Sequence, residues 1–395
     1  MERDEMMMKR GGKRFIDIGA NLTDCMFAGV YNSKQAHPAD VSHVLRRAVS
    51  AGADRIVITA GRLSDTLEAL AMIERCSTEQ PPSSSSSPPS SSLSSPPSGE
   101  KQEACEPRLD EELRVQMWTT VGVHPTRARL GESECVRIAG FLKGLRDLGE
   151  QDWRLEKIAA IGEVGLDYDR VEFASKEEQS HVLRSILSAV VPYMPGKPLF
   201  LHARGDGCVA DLLEILTEHA DLFRQHNITT GVVHSFDGSA ADARQVVEFQ
   251  PLHLMIGVNG CSLRTEENLA VLREHVPISR LLLETDAPWC DIRPTHASAK
   301  LLAASAANRA LTAKQGEQEP QVQPEDTHLS TTLAAGFEVR KKEKWSAHCC
   351  VKGRNEPAMI VTVAAVLAEL YSIPFDDLAT HCERNTLLWL RNPQP

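Results

Sequence analysis

At 395 residues, 42% hydrophobic and 25% charged, the chain can bury a large core as one barrel or as two or three domains, with a composition ordinary for a soluble enzyme. A formal net charge of −11 argues against a broad basic face for nucleic acid, although an acidic enzyme still works on phosphodiesters where metal ions and a few placed cations govern the site. Ten cysteines without a CxxC pair read as free thiols of a reducing compartment, cytosol or nucleus, and neither a secretion signal nor a membrane span is expected.

From Arg14 onward, short apolar runs alternate with amphipathic stretches. The runs predict strands at 15–19, 55–59, 117–121, 158–161, 198–201, 231–233, 254–258 and 281–283. The stretches predict helices at 40–51, 64–74, 132–145, 176–190, 209–219, 241–249, 267–275 and 357–370. Eight strand–helix pairs imply a closed TIM-like (β/α)8 barrel, one α/β domain over 14–393. The alternative is a doubly wound open sheet, but neither GxGxxG nor a P-loop follows the first strand. Two segments break the rhythm. Residues 80–112 are Ser/Pro-rich and then acidic, too poor in apolar surface to offset chain entropy, and are expected to be a disordered insertion. Residues 311–340 are expected to be a second, flexible insertion.

His124, Glu163, His202, His234 and Asp286 each stand at the end of a run, spaced by 39, 39, 32 and 52 residues. A barrel unit takes roughly 30 residues, so parallel strands carry these groups to one mouth. Taken singly, each has a plain structural account: a solvated turn acid, a hydrogen-bonded histidine, a cap. Two imidazoles and two carboxylates on neighbouring units instead form a mixed N/O set suited to Zn²⁺, Mn²⁺ or Mg²⁺. Such an ion activates water and polarises a phosphoryl or carbonyl oxygen, so hydrolysis is the reaction class. Asp286, before Ala287 and Pro288, is a ligand, a general base or the cap of a turn. His124 either touches substrate or leaving group or caps a turn; Arg204 holds a phosphate or a structural salt bridge. Asn355 and Glu356 are expected to cap the last helix.

The strings FIDIGANLTD, VGVHPTR, AIGEVGLDYDR, FLHAR, VVHSFDG, IGVNGCSL, LLLETDAPW and RNEP, in this order, resemble the TatD family of metal-dependent deoxyribonucleases, and most closely a eukaryotic branch of it. The resemblance implies a TIM-like barrel of the metal-dependent hydrolase superfamily that cleaves DNA, as a 3′–5′ exonuclease using Mg²⁺ or another divalent ion. It implies Glu163, His202, His234 and Asp286 as metal ligands, with Glu163 and Asp286 catalytic and Asp286 accepting the proton of the attacking water. DNA is then the partner, with no membrane and no obligate protein partner. One departure stands out: many relatives carry His-x-His on the first strand, where this chain has Gly19 and Asn21. Asn21 is left to offer a carbonyl oxygen on the substrate side with His124 and Arg204, Asp17 is structural, and the number of ions is open. The same metal and water serve amide or ester hydrolysis equally well. A non-catalytic DNA-binding or scaffold protein with a vestigial site is the reading from a different class.

Overall fold

The computed structural model describes residues 15–78, 115–149, 152–305 and 336–391. The expected insertion at 80–112 lies outside the described residues, as does 311–335 of the second.

Eight parallel strands lie side by side in chain order: β1 (Phe15–Ala20), β2 (Ala53–Ile58), β3 (Gln116–Val121), β4 (Ile158–Asp167), β5 (Leu199–Arg204), β6 (Thr230–His234), β7 (His253–Val258) and β8 (Leu281–Leu283). Each expected strand is present because its run is apolar on both faces, as strands covered by helices outside and side chains inside must be. The sheet closes through the segment that follows β8. Ala20 bridges to Ala287, Asp286 N–H donates to Gly19 O at 2.7 Å, and Asn21 N–H donates to Ala287 O at 2.6 Å. Around the strands stand α1 (Val41–Ser50), α2 (Leu63–Thr78), α3 (Gly131–Asp147), α4 (Lys176–Val190), α5 (Cys208–Glu218), α6 (Ala240–Glu248), α7 (Glu266–His275) and α8 (Ile360–Tyr371). Capping boxes at Ser175, Ser239 and Thr265 start α4, α6 and α7. This is the TIM-like (β/α)8 barrel that the alternation predicts.

Helices beyond the expected eight are the short Trp153–Lys157 and Ala220–Gln225 and a long C-terminal one, α9 (Phe375–Arg391). It closes the N-terminal end of the barrel: Trp389 is fully buried, its indole N–H donates to Leu199 O at 3.2 Å, and its own carbonyl accepts from Thr230 Oγ1 at 3.2 Å. Trp389 packs with Ile16, Ile18, Ala160, Phe200, Val232, Met255 and Leu282, the inward residues of the strands. Side chains alternate along a strand, so the next inward position toward the C-terminal mouth falls two residues later. After Phe200, Val232 and Leu282, those positions are His202, His234 and Glu284. The apolar plug and the polar mouth are thus successive layers of the same strands.

The second expected insertion ends earlier than residue 340. Glu338–Arg340 is a strand, paired in parallel with Cys349–Val351. The expected capping by Asn355 and Glu356 is also replaced. Asn355 Nδ2 donates to Thr285 O and Trp289 O, both at 2.8 Å, and so ties the loop before α8 to the Asp286 turn. Glu356 stands at the first position before a 3-10 turn at Pro357–Met359, but its carboxylate makes no capping bond. It accepts instead from Arg47 Nε at 2.7 Å and Arg354 Nη2 at 2.9 Å, while Arg354 binds Asp40 at 2.7 Å through both Nη atoms. Two buried guanidinium groups are a stronger claim on a buried carboxylate than a backbone N–H. Among the described residues, no single helix is long and apolar enough to cross a membrane.

Candidate metal centre

The mouth gathers side chains from the C-terminal ends of β3 to β8. Glu163 reaches it because the β4–β5 register shifts between Ile161 and Val164, which re-aims a residue that strict alternation would turn outward. Gly165 makes this possible: at φ +148 its backbone lies so close to His202 that a Cβ would sit 2.0 Å from the His202 carbonyl oxygen.

Three donor atoms converge. His202 Nδ1 and His234 Nε2 each lie 2.7 Å from Glu163 Oε1 and 3.1 Å from one another. Neighbouring ligands of an octahedral ion with bonds of about 2.1 Å are separated by about 3 Å. The opposite nitrogens decide where the lone pairs point. His202 Nε2 faces Asp167 Oδ2 at 3.3 Å, and His234 Nδ1 faces Glu284 Oε2 at 3.6 Å. Carboxylates there hold the N–H on the far nitrogen and turn the near lone pair toward Glu163. Glu284 is fixed in turn by Ser235 N–H at 2.5 Å and Asn259 Nδ2 at 2.9 Å. Two imidazole lone pairs and a carboxylate oxygen facing one point repel unless a cation joins them, so the donor set fits a divalent ion. Without one, a proton takes the role. Although burial works against its charged form, His234 is pushed well above the usual imidazole range by Glu163 and Glu284, and His202 is raised by hydrogen bonds to Asp167 and Glu163. Burial acts to raise the Glu163 carboxyl, but His234 and His124 outweigh it and hold the group well below the carboxylate range.

His124 forms a close group with Glu163 and His202, yet its chemistry differs. It ends the β3 loop and caps the turn Pro125–Leu130, with Nδ1 accepting from Thr126 N–H at 3.1 Å. That bond occupies the Nδ1 lone pair, so neutral His124 turns an Nε2–H toward Glu163 Oε1, 3.3 Å away. Burial lowers its pKa and favours this neutral form. Cap and mouth residue are therefore one and the same.

Asp286 lies at the edge. Asn21 Nδ2 donates to its Oδ1 at 2.9 Å and Cys290 Sγ to its Oδ2 at 3.2 Å. Burial raises its pKa against the pull of His234. Asn21 offers its amide N–H₂ here rather than an oxygen, because Oδ1 accepts from Thr59 Oγ1 at 2.6 Å. Arg204 lies 3.5 Å from Asp237 and Arg264 3.9 Å from the same carboxylate, on the rim. Asp17 is structural as expected: both its oxygens accept from Thr285, at 3.0 Å and 2.5 Å, and burial lifts its pKa to about 8. At Gly19 a Cβ would meet Glu284 Oε2 at 3.2 Å and Phe200 Cζ at 3.3 Å, so the space for a first-strand side chain is already filled.

Sequence reasoning missed Asp167 and Glu284. Both were legible by position: Glu284 follows Leu282 as His202 follows Phe200, and Asp167 closes the same strand as Glu163.

The TatD related DNase family model matches residues 16–391. The chain is 33% identical to the deoxyribonuclease Tat-D of Saccharomyces cerevisiae, over 93% of this chain and 88% of that one. It is 31% identical to the deoxyribonuclease Tat-D of Schizosaccharomyces pombe, over 95% of each. Among solved structures, a TatD family hydrolase from Entamoeba histolytica superposes with a TM-score of 0.69 at 28% identity, covering 96% of this chain and 98% of that one. A structure titled an uncharacterized amidohydrolase, from Saccharomyces cerevisiae, superposes with a TM-score of 0.70 at 30% identity, covering 96% of this chain and all of that one. The barrel, its polar mouth and these likenesses agree, and the chain belongs to the TatD DNase family.

Proposed function

We propose that this protein is a divalent-metal-dependent deoxyribonuclease that removes nucleotides from a DNA end. One observation carries the reading: His202 Nδ1, His234 Nε2 and Glu163 Oε1, from three successive strands, meet within 3.1 Å, with their lone pairs aimed by Asp167 and Glu284. Glu163, His202, His234 and Asp286 would hold a divalent ion, which would supply Lewis acidity for a phosphoryl oxygen and acidify a water; Mg²⁺, Mn²⁺ and Zn²⁺ all suit the donors. Asp286 accepts the water proton, a task favoured by the rise in pKa that burial imposes and by Asn21, which fixes one of its oxygens. His124, neutral and with its Nε2–H turned into the mouth, holds the leaving oxygen by a hydrogen bond. Arg204 meets a phosphate at the rim. The 3′–5′ direction is supported by the relative named 3′-5′ ssDNA/RNA exonuclease TatD, from Edwardsiella piscicida, 28% identical over 71% of this chain. The free thiols of the described cysteines support a reducing compartment, cytosol or nucleus.

End-labelled single- and double-stranded DNA, incubated with a series of divalent ions and with chelator, tests this. A one-nucleotide ladder that needs the ion and vanishes in Glu163→Ala and Asp286→Ala is expected. Full activity in both variants would sink the assignment. A second reading, hydrolysis of an amide or ester, is favoured by the amidohydrolase title of the yeast structure and uses the same donors. Turnover of small amide or ester substrates with intact oligonucleotide would replace the first reading with this one.

A further inference from the structure

Two sulfurs meet beside Asp286. Cys261 stands on the turn after β7 and Cys290 at the end of the turn that carries Asp286, and their Sγ atoms are 2.9 Å apart. The backbones beneath them are pressed together, since a Cβ at Gly260 would lie 2.1 Å from the Cys290 carbonyl oxygen. Cys261 is further anchored by its N–H, which donates to Asn259 Oδ1 at 2.8 Å. Both residues are partly exposed, whereas Cys135, Cys208, Cys349, Cys350 and Cys382 are buried, so this pair is open to a small oxidant where those are not. A disulfide bond is about 2.05 Å long, and the sulfurs need to close by less than about 1 Å to form one.

We propose that Cys261 and Cys290 are a reversible oxidation site, converted by a hydroperoxide to an intramolecular disulfide that takes the sulfur donor away from Asp286. The Cys261 sulfur attacks the O–O bond and becomes a sulfenic acid, and the departing oxygen leaves as water. The Cys290 sulfur then displaces hydroxide from Cys261, and that hydroxide leaves as water with the Cys290 proton. Two thiols lose two electrons and two protons, and one hydrogen peroxide becomes two waters. In the disulfide, Cys290 has no S–H, so Asp286 Oδ2 loses the bond seen at 3.2 Å and only Asn21 still holds the carboxylate. The thiol chemistry stands by itself; its effect on turnover rests on the deoxyribonuclease reading.

The test treats the full-length protein with hydrogen peroxide, then with dithiothreitol, and follows both peptide mass without reduction and turnover of end-labelled DNA. The expected result is a cross-linked peptide pair containing Cys261 and Cys290, two hydrogens lighter than the separate peptides and released by dithiothreitol. Turnover falls roughly threefold to tenfold on oxidation, the share of a weak donor's bond to a carboxylate, and recovers on reduction. Cys261→Ser keeps its basal turnover and no longer responds. Absence of the cross-link under peroxide that oxidises the exposed Cys25 overturns the proposal, as does an equal loss of turnover in Cys261→Ser. A cross-link in a protein that never hydrolyses DNA upholds the oxidation site and removes the nuclease reading instead.

Discussion

Charge is buried in two places in this barrel, and the two are finished differently. Beside α1, Arg47 and Arg354 face Asp40 and Glu356: two cations meet two anions, each with bonds of 2.7 Å, and Arg354 Nε is the one atom of the group without a partner. At the mouth, Glu163, Asp167, Glu284 and Asp286 surround His124, His202 and His234, and Arg170, 3.7 Å from Asp167, stands only at the edge. There His202 Nε2 and His234 Nδ1 meet their carboxylates only loosely, at 3.3 Å and 3.6 Å, and none of these buried atoms has a closer partner. A cluster that balances its own charge is scaffold, linking the first βα unit to the loop before α8. One that sets four carboxylates against three imidazoles is short of positive charge, and it fits a cation at the point where His202 Nδ1, His234 Nε2 and Glu163 Oε1 converge.

The largest effect that separates the two is expected from Glu163→Ala. Turnover falls on the order of a thousandfold or more, since the carboxylate shared by both imidazoles is gone. The fold should lose stability only modestly, since the favourable hold of His234 and His124 on the Glu163 carboxylate goes with it, and less than a scaffold variant loses. The upward shift of the melting midpoint that Mn²⁺ produces by binding the native state should vanish. A fall in midpoint as deep as that of a scaffold variant would erase the distinction.

Arg354→Ala is the reverse experiment. It leaves Asp40 with only the Trp345 indole N–H at 2.9 Å and a distant Arg47 at 3.9 Å, and Glu356 with Arg47 as its one cation, so urea denaturation should show a loss of about 3 kcal/mol, while turnover per folded molecule and Mn²⁺ affinity stay near those of the parent. A stable variant with impaired turnover would mean that the network serves the mouth.

A smaller effect tests the aim of the lone pairs. Asp167→Asn and Glu284→Gln keep shape and lose charge, so each imidazole is less firmly held in the tautomer that faces Glu163. Mn²⁺ affinity measured by calorimetry should weaken about 10- to 100-fold in each, with the fold intact. Unchanged affinity would remove both carboxylates from the site.

The mouth was far more legible in the sequence than the scaffold cluster. Glu163, His202, His234 and Asp286 end apolar runs at intervals of a barrel unit, and a strand's alternation is local, so their convergence follows from position along the chain. Glu284 carries the same signal two residues after Leu282, but the turn at Pro288 marks Asp286 more strongly as the residue on which the run ends. Arg47, Asp40, Arg354 and Glu356 carry none: Arg47 and Glu356 are 309 residues apart, and a tertiary ion pair leaves no periodicity behind. That is why Glu356 read as a cap. The α9 plug escaped for a similar reason, since eight helices already complete the barrel and only the open floor beneath Phe200 and Val232 calls for Trp389.

The smallest effect concerns the place where the family's His-x-His pair is missing. At Gly19, which the register shift between Asp17 and Ala20 turns inward although Ile16 and Ile18 precede it, a Cβ would stand 3.2 Å from Glu284 Oε2 and 3.3 Å from Phe200 Cζ. Gly19→Ala should cost about 1 kcal/mol as those neighbours give way by a few tenths of an ångström, within the usual range for overpacking. Because the displaced atom belongs to Glu284, the same variant should weaken Mn²⁺ binding slightly rather than strengthen it. Glu284, which faces His234 Nδ1, thus borders the room that a first-strand side chain would enter. Gly19→Ala with unchanged stability and metal affinity would show the room to be free.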